Sequence, residues 1–139
     1  MDTASELFNG TERSMLETAI LEIQDMAYWP NEICDLESPS GKVLSIGIAK
    51  TGTKDNPEIP SDLACVNFQS ETGNPPYLTV IGDQSLDYEN GGVVVFRYEN
   101  GHWTEMLRRN CVSIEVMLRI VKHFVETEKL AEWVAWEDA

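Results

Sequence analysis

The sequence predicts an α+β domain, in which a mainly antiparallel sheet of about five strands is flanked by an N-terminal and a C-terminal helix. Apolar residues recur at helical spacing near both ends of the chain, whereas short alternating or β-branched apolar stretches fill its middle. With 139 residues and 42% apolar composition, the chain is long enough to bury one core. We therefore interpret residues 1–139 as a single domain.

Two helices are predicted from capping signals and apolar spacing. Ser14 and Glu17 match a capping box, and the helix they start should end by about Ala27 because Pro30 cannot continue it. Ser113 caps the second helix, which reads IEVMLRIVKHFVETE. The residues expected to be buried are Leu16, Ala19, Ile20, Ile23 and Met26 in the first helix, and Met117, Ile120, Val121, Phe124 and Val125 in the second.

Strands separated by polar turns are predicted for the middle of the chain. Loops are expected at Thr51–Asp62 and Ser70–Pro76, where proline, glycine and polar residues cluster, and YLTVIG begins a strand at Tyr77. A further candidate strand, Ser5–Phe8, precedes the first helix. Two stretches alternate so that one face is apolar: KVLSIGIAK, with Leu44, Ile46 and Ile48, and LACVNFQ, with Ala64, Val66 and Phe68.

The segments VVVFRY and HWTEML are predicted to form an antiparallel hairpin, because Asn100-Gly101 between them is a strong turn signal. The uninterrupted apolar run Val93–Phe96 predicts a central strand covered on both faces. Near the end of the chain, tryptophan and valine residues predict a short final strand or an aromatic plug on the sheet. The residues assigned to the core or to covering the sheet are Trp29, Trp103, Trp133 and Trp136.

The net charge of −14, from 24 acidic and 10 basic residues, disfavours nucleic acid and anionic membranes as partners and favours a basic macromolecule. A negative surface facing a cationic partner raises the association rate by roughly 10–1000-fold at low salt. The alternative interpretation is that the acidity only maintains solubility.

The sequence predicts a cytoplasmic protein. Its first residues, MDTASELFNG, contain neither a basic leader nor an apolar run, and no stretch approaches the ~18 apolar residues that span a bilayer. Cys34, Cys65 and Cys111 are odd in number and belong to no C-x-x-C motif, so we expect ordinary thiols in a reducing compartment.

No catalytic or metal-binding motif is present in the sequence. His102 and His123 are the only histidines, and His102 and Glu105 should point to opposite faces of one strand, where they could not share a metal ion. Asp83, Asp87 and Glu89 lack the register of a calcium loop. We therefore expect no enzymatic activity, no cofactor and no metal.

An interface is the best interpretation of the acidic stretch DQSLDYENG between Gly82 and Gly92. Carboxylates pair with arginine and lysine of a cationic partner, and a tyrosine supplies an anchor at low entropic cost. The alternative is a set of solvated loop residues. The candidate binding residues are Asp83, Asp87, Tyr88 and Glu89, with Glu71 and Tyr77 on a neighbouring connection. Arg108-Arg109 is too small a basic patch for nucleic acid, and we expect a surface pair near the second helix.

The segment SIEVMLRIVKHFVETEKLAEWVAWED resembles the end of the immunity protein 1 family of bacterial polymorphic toxin systems. Those proteins finish with a helix ending in paired aromatic or apolar residues, here Phe124-Val125, and with a valine-x-tryptophan-acidic close, here Val134-Ala135-Trp136-Glu137. GDQSLDYENGGVVVFRY resembles the middle of the family, so the resemblance covers roughly the second half of the chain. The turn before the close differs, because residues 128–132 contain neither the glycine nor the proline frequent there.

The resemblance implies an α+β fold and the binding of a cognate toxin, commonly a nucleic-acid deaminase, and no catalytic residues carry over. In this interpretation the free protein is a monomer, and its acidic surface blocks a basic substrate groove on the toxin. An acidic secretion chaperone that binds an effector segment is the alternative, and such a protein should dimerise through a large apolar surface.

Overall fold

The computed structural model of the protein describes residues 33–71, 74–97 and 102–139. The predicted N-terminal helix, the candidate strand Ser5–Phe8 and Trp29 lie outside the described residues. Within them the fold is α+β, with a mostly antiparallel main sheet and one long helix packed against it, as the sequence predicts.

Among the described residues the main sheet has six strands and a separate sheet has two, whereas the sequence predicted about five strands in one sheet. The order in the main sheet is β1-β2-β3-β4-β8, and β7 pairs with the part of β3 that β4 leaves free. Strands β5 and β6 form the second sheet. The elements are β1 (Ile33–Glu37), β2 (Val43–Ala49), β3 (Leu63–Glu71), β4 (Asn74–Ile81), α1 (Tyr88–Gly91), β5 (Val93–Arg97), β6 (Trp103–Leu107), β7 (Cys111–Ser113), α2 (Ile114–Thr127) and β8 (Ala135–Asp138).

Helix α2 covers one face of the main sheet, which we call the inner face. The Ser113 side chain accepts a hydrogen bond from the backbone N–H of Val116 and caps the helix, as predicted. Phe124 meets Phe68 edge to face, with ring centroids 6.3 Å apart. The predicted apolar positions of β2, β3 and α2 are all buried in this core: Leu44, Ile46, Ile48, Ala64, Val66, Phe68, Met117, Ile120, Val121, Phe124 and Val125.

The hairpin of β5 and β6 packs on the other, outer face of the main sheet. Val94 and Phe96 are fully buried there against Cys65 and Cys111. Gly47 permits the close approach, because a Cβ at this position would lie 3.0 Å from the Phe96 ring. Antiparallel pairing of the hairpin confirms the prediction from the Asn-Gly turn signal.

The prediction that Val93–Phe96 form a central strand covered on both faces is wrong. Only Val94 and Phe96 are buried, whereas the residues between and beside them are partly exposed. A strand in a two-stranded sheet packs through one face, and valine suits the exposed face of a strand as well as the buried one. An apolar run alone therefore did not distinguish the two environments.

The prediction of a loop at residues 70–76 is also wrong for most of that range. Strand β3 continues to Glu71 and β4 already begins at Asn74, with a register shift between Gln69 and Glu71. Pro75 and Pro76 stand near the start of β4, where a strand tolerates residues without an N–H donor. The predicted final strand is confirmed as β8, and the Trp136 indole donates a hydrogen bond to the Ala131 carbonyl at 2.8 Å.

None of the described helices reaches the length and apolarity that crossing a lipid bilayer requires.

Candidate binding surface

The predicted acidic stretch forms the connection between β4 and β5, and we call residues 82–92 the acidic loop. Its first two backbone N–H groups, those of Gly82 and Asp83, donate to the Arg109 carbonyl at 2.7 and 3.2 Å. Gly82 is required at this contact, since a Cβ there would lie 1.7 Å from the Cys111 carbonyl oxygen. The loop is therefore fastened to the segment before β7.

Asp83 and Asp87 organise the backbone of the acidic loop. Asp83 accepts from the Ser85 hydroxyl at 2.6 Å and from its N–H at 2.9 Å, and these bonds hold the pKa of Asp83 below its ordinary value. Asp87 caps α1 by accepting from the N–H groups of Glu89 and Asn90, both at 3.0 Å. The Asn90 side chain accepts from the Asp87 N–H at 2.6 Å and completes a capping box.

Arg109 ties the acidic loop to the far edge of the main sheet. Its guanidinium donates to Glu137 on β8 at 2.9 and 3.2 Å and to the Gln84 carbonyl at 2.9 Å. Asn110, which is buried, donates to Glu137 at 2.7 Å and to the Val80 carbonyl at 3.0 Å. Arg108 and Arg109 are both partly exposed, and the structure adds that the Arg109 side chain is hydrogen-bonded to Glu137 and to the Gln84 carbonyl.

Tyr88 and Glu89 point away from this framework. Tyr88 is 70% exposed, and α1, to which both residues belong, contains no buried residue. No hydrogen bond to the Glu89 carboxylate occurs among the described residues. The Tyr88 ring and the Glu89 carboxylate are thus exposed on the acidic loop and take no part in the packing of the described fold.

The structure brings together four of the six predicted binding residues. Asp83, Asp87, Tyr88 and Glu89 share the acidic loop, which follows the end of β4 at Ile81. Tyr77, 43% exposed, lies in the middle of β4, about 13 Å from Ile81 at ~3.3 Å per residue and three residues from the other end of the strand. Glu71 pairs through its backbone with Asn74, at that same end. The predicted site is therefore two clusters rather than one.

Two tryptophans that were predicted to be core or sheet-covering residues are exposed instead. Trp103 on β6 is 60% exposed, and Trp133, which follows α2, is 45% exposed. The Arg119 guanidinium lies 4.5 Å from the centroid of the Trp133 ring, a cation–π contact. Trp103 is the first residue of β6, and its place close after the predicted Asn-Gly turn could have indicated exposure, since residues near a strand end are less completely covered than those at mid-strand.

The described histidines and cysteines do not form a reactive group. His102 is exposed before β6, and His123 lies partly buried on α2. Cys65 and Cys111 are buried, and burial raises the pKa of the Cys111 thiol to about 12. Within the described ranges, no cluster of three or more histidine, cysteine, aspartate or glutamate side chains could hold a metal ion.

The described residues form an α+β fold that presents an acidic loop held by its own hydrogen bonds and by Arg109. No protein-family profile matches the chain, and neither a curated protein nor a solved structure matches it.

Proposed function

We propose that this chain is an immunity protein, which binds a cognate bacterial toxin and neutralises it by covering its active site or substrate groove. The observation that carries the proposal is the acidic loop, which is fixed by its own hydrogen bonds and exposes Tyr88 beside Glu89. The protein in this role carries out no chemistry and acts in the cytoplasm, where the toxin would attack.

Rigidity of the acidic loop supports a role in binding. Ordering a flexible side chain or loop on association costs about 0.5–1.5 kcal/mol per immobilised side chain, and a loop that is already ordered avoids much of this. The bonds from Asp83, Asp87 and Arg109 order this loop in the free protein. Tyrosine in such a setting is a frequent interface anchor, since it buries a large area at low entropic cost.

The charge of the protein supports a cationic partner. A net charge of −14 attracts a basic surface over long range and accelerates association at low salt. The sequence resemblance favours a nucleic-acid deaminase, whose substrate groove must be basic to hold phosphates and which uses a zinc-activated water on an extruded base. The acidic loop would imitate phosphate charge in that groove and exclude the nucleic acid.

The test begins with the partner, which we expect to be a secreted protein with a toxic C-terminal domain encoded beside this gene. Tyr88→Ala combined with Glu89→Lys should weaken binding of that toxin domain by about 30-fold or more, the loss expected from an interface hot spot of ~2 kcal/mol. Binding is measured by calorimetry and protection by survival of cells that express both proteins. These positions are preferable to Asp83 and Asp87, whose replacement would also disorder the loop.

Glu132→Lys is the matched control, because it makes the same charge change at an exposed position outside the acidic loop. It should keep nearly full affinity and protection. Wild-type affinity and protection in the Tyr88/Glu89 variant would contradict the proposed binding surface. Failure of the wild-type protein to bind or protect against the linked toxin would contradict the function itself.

A further inference from the structure

A row of polar side chains crosses the outer face of the main sheet. The pairing registers place its members side by side on five successive strands, and their chain neighbours on β2, β3 and β4 point into the core under α2. We call this set the polar row: Asp35, Ser45, Asn67, Thr79 and Glu137.

Both ends of the polar row are hydrogen-bonded, and its centre is not. The Ser45 hydroxyl donates to Asp35 at 2.5 Å, and Glu137 accepts from Arg109 and Asn110. The Asn67 Oδ1 and the Thr79 Oγ1, in contrast, are buried and have no hydrogen-bond partner among the described residues. Thr79 as a whole is only 7% exposed. Buried oxygens without a partner destabilise a fold, so their presence at neighbouring positions calls for an explanation.

A pocket of about 230 Å³ opens beside Asn67, and Thr79 is not part of its lining. The described residues that line it include no lysine or arginine: Ser45, Asn67, Phe68, Gln69, Tyr77, Leu78 and Ala139. This volume is below that of typical small-molecule sites and suits a single side chain. The pocket walls therefore contain hydrogen-bond acceptors and a partly exposed aromatic ring. None of the described lining residues carries a positive charge.

We propose that this pocket binds the guanidinium group of an arginine from the partner protein. The proposal rests on the proposed function and names a second contact for it. Arginine carries five N–H donors on a flat, weakly hydrated group that stacks on aromatic rings. The Asn67 carbonyl, turned toward the pocket by rotation of its amide, and the Ser45 oxygen accept from it, while the Tyr77 ring supplies a cation–π contact. Asp35, bonded to Ser45, adds negative charge beside the pocket.

The pocket also explains why the predicted binding residues separate into two clusters. Tyr77 lines the pocket at the middle of β4, and the acidic loop follows the end of that strand at Ile81. A typical interface buries roughly 800 Å² on each partner, which is wide enough to include both. The acidic loop and the pocket would then be two contacts of one binding surface.

The test uses the full chain, labelled with ¹⁵N, and N-acetyl-L-argininamide as the probe. Titration should shift the amide resonances of Ser45, Gln69 and the Asn67 side chain, with a Kd on the order of 10 mM. N-acetyl-L-citrullinamide has the same shape without the charge and should bind at least about 5-fold more weakly. Equal binding of the two probes, or no shift at saturating argininamide, would overturn the proposal.

Asn67→Leu should abolish the response to argininamide and leave the thermal midpoint equal to or above that of the wild type, because it removes a buried oxygen without a partner. Glu132→Lys, at an exposed position outside both the pocket and the acidic loop, is the control and should leave the titration unchanged. A response retained in Asn67→Leu would overturn the site. If argininamide does not bind but the Tyr88/Glu89 variant has lost its affinity for the toxin, the pocket proposal is overturned and the proposed function stands. If argininamide binds as predicted but the linked toxin is not bound, the proposed function fails, and the assignment of the guanidinium to a toxin fails with it.

Discussion

Acidic side chains that look alike in the sequence have different structural roles in this protein. Asp83 and Asp87 accept backbone hydrogen bonds within the acidic loop, and Glu137 joins β8 to Arg109 and Asn110. Glu89 stands outside these networks, on the exposed surface of α1. The first three shape the surface, whereas Glu89 is available to a partner. Charge counting on the sequence treats all four alike.

Glu137→Gln should lower the free energy of unfolding by about 1 kcal/mol at neutral pH, since the pair with Arg109 is only partly buried and glutamine keeps one acceptor. Arg109, and to a smaller extent Asn110, hold the pKa of Glu137 below its ordinary value of 4.5. A carboxyl with a lowered pKa in the folded state stabilises the protein above pH 4.5, and this contribution is lost as the pH falls through the folded value. Urea unfolding across this range measures it.

The difference between wild type and Glu137→Gln should therefore shrink as the pH falls below 4.5. Asp138→Asn, which changes an exposed carboxylate on the same strand, serves as the control and should unfold like the wild type. A difference for Glu137→Gln that stays constant at acidic pH would show that the ionised carboxylate is not what stabilises β8.

Individual elements are held by contacts between distant parts of the chain, and the edge of β5 is the clearest case. The buried Asn56 side chain donates to the Val95 carbonyl at 2.9 Å and accepts from the Val95 N–H at 2.8 Å, as a neighbouring strand would. Two residues later, Arg97 donates to both oxygens of Asp55 at 2.6 and 2.7 Å. The loop predicted at Thr51–Asp62 thus closes a sheet edge, which otherwise invites pairing with other chains.

Asn56→Ala should lower the free energy of unfolding by about 2–3 kcal/mol, because it leaves a backbone donor and a backbone acceptor of Val95 without these partners. Hydrogen exchange at the Val95 amide should accelerate more than exchange in β2 or β3. Lys54→Ala, at an exposed position of the same loop, is the control and should change neither quantity. Unaltered exchange at Val95 in Asn56→Ala would contradict the role given to this side chain.

The molecule as a whole exposes its large apolar residues on separate elements rather than on one strand or helix. Among the described residues, Tyr77, Tyr88, Trp103 and Leu118 lie on β4, α1, β6 and α2, and Trp133 follows α2. Dimers that form before binding a partner use a large continuous apolar surface. The proposed immunity protein is expected to be a monomer when free, whereas the dimeric secretion chaperone of the alternative is expected to use such a surface.

Light scattering coupled to gel filtration should accordingly give a mass near 15.7 kDa for the free protein. The mass should stay constant over a wide range of concentration and salt, because no interface between copies would be forming. A stable species of twice that mass, able to bind an extended effector segment, would favour the chaperone alternative.

The strongest local patterns predicted most of the fold. Alternation in β2 and β3, the capped apolar stripe of α2 and the Asn-Gly hairpin each depend on residues close together in sequence, and the structure confirms all of them. The acidic stretch was recognisable as an exposed loop for the same reason, since its polar residues and flanking glycines are local features. These predictions of local structure are confirmed because they depend only on residues that are close together in sequence.

By itself, the sequence determined the class of fold, the buried faces of its main elements and the acidic character of the surface. Only the tertiary structure decided that β5 leaves the main sheet, that Asp83 and Asp87 hold the loop while Tyr88 projects from it, and that Asn67 meets Thr79 beside a pocket. The physical reason is that side-chain periodicity is set by the local backbone, whereas burial and hydrogen-bond partners are set by residues distant along the chain.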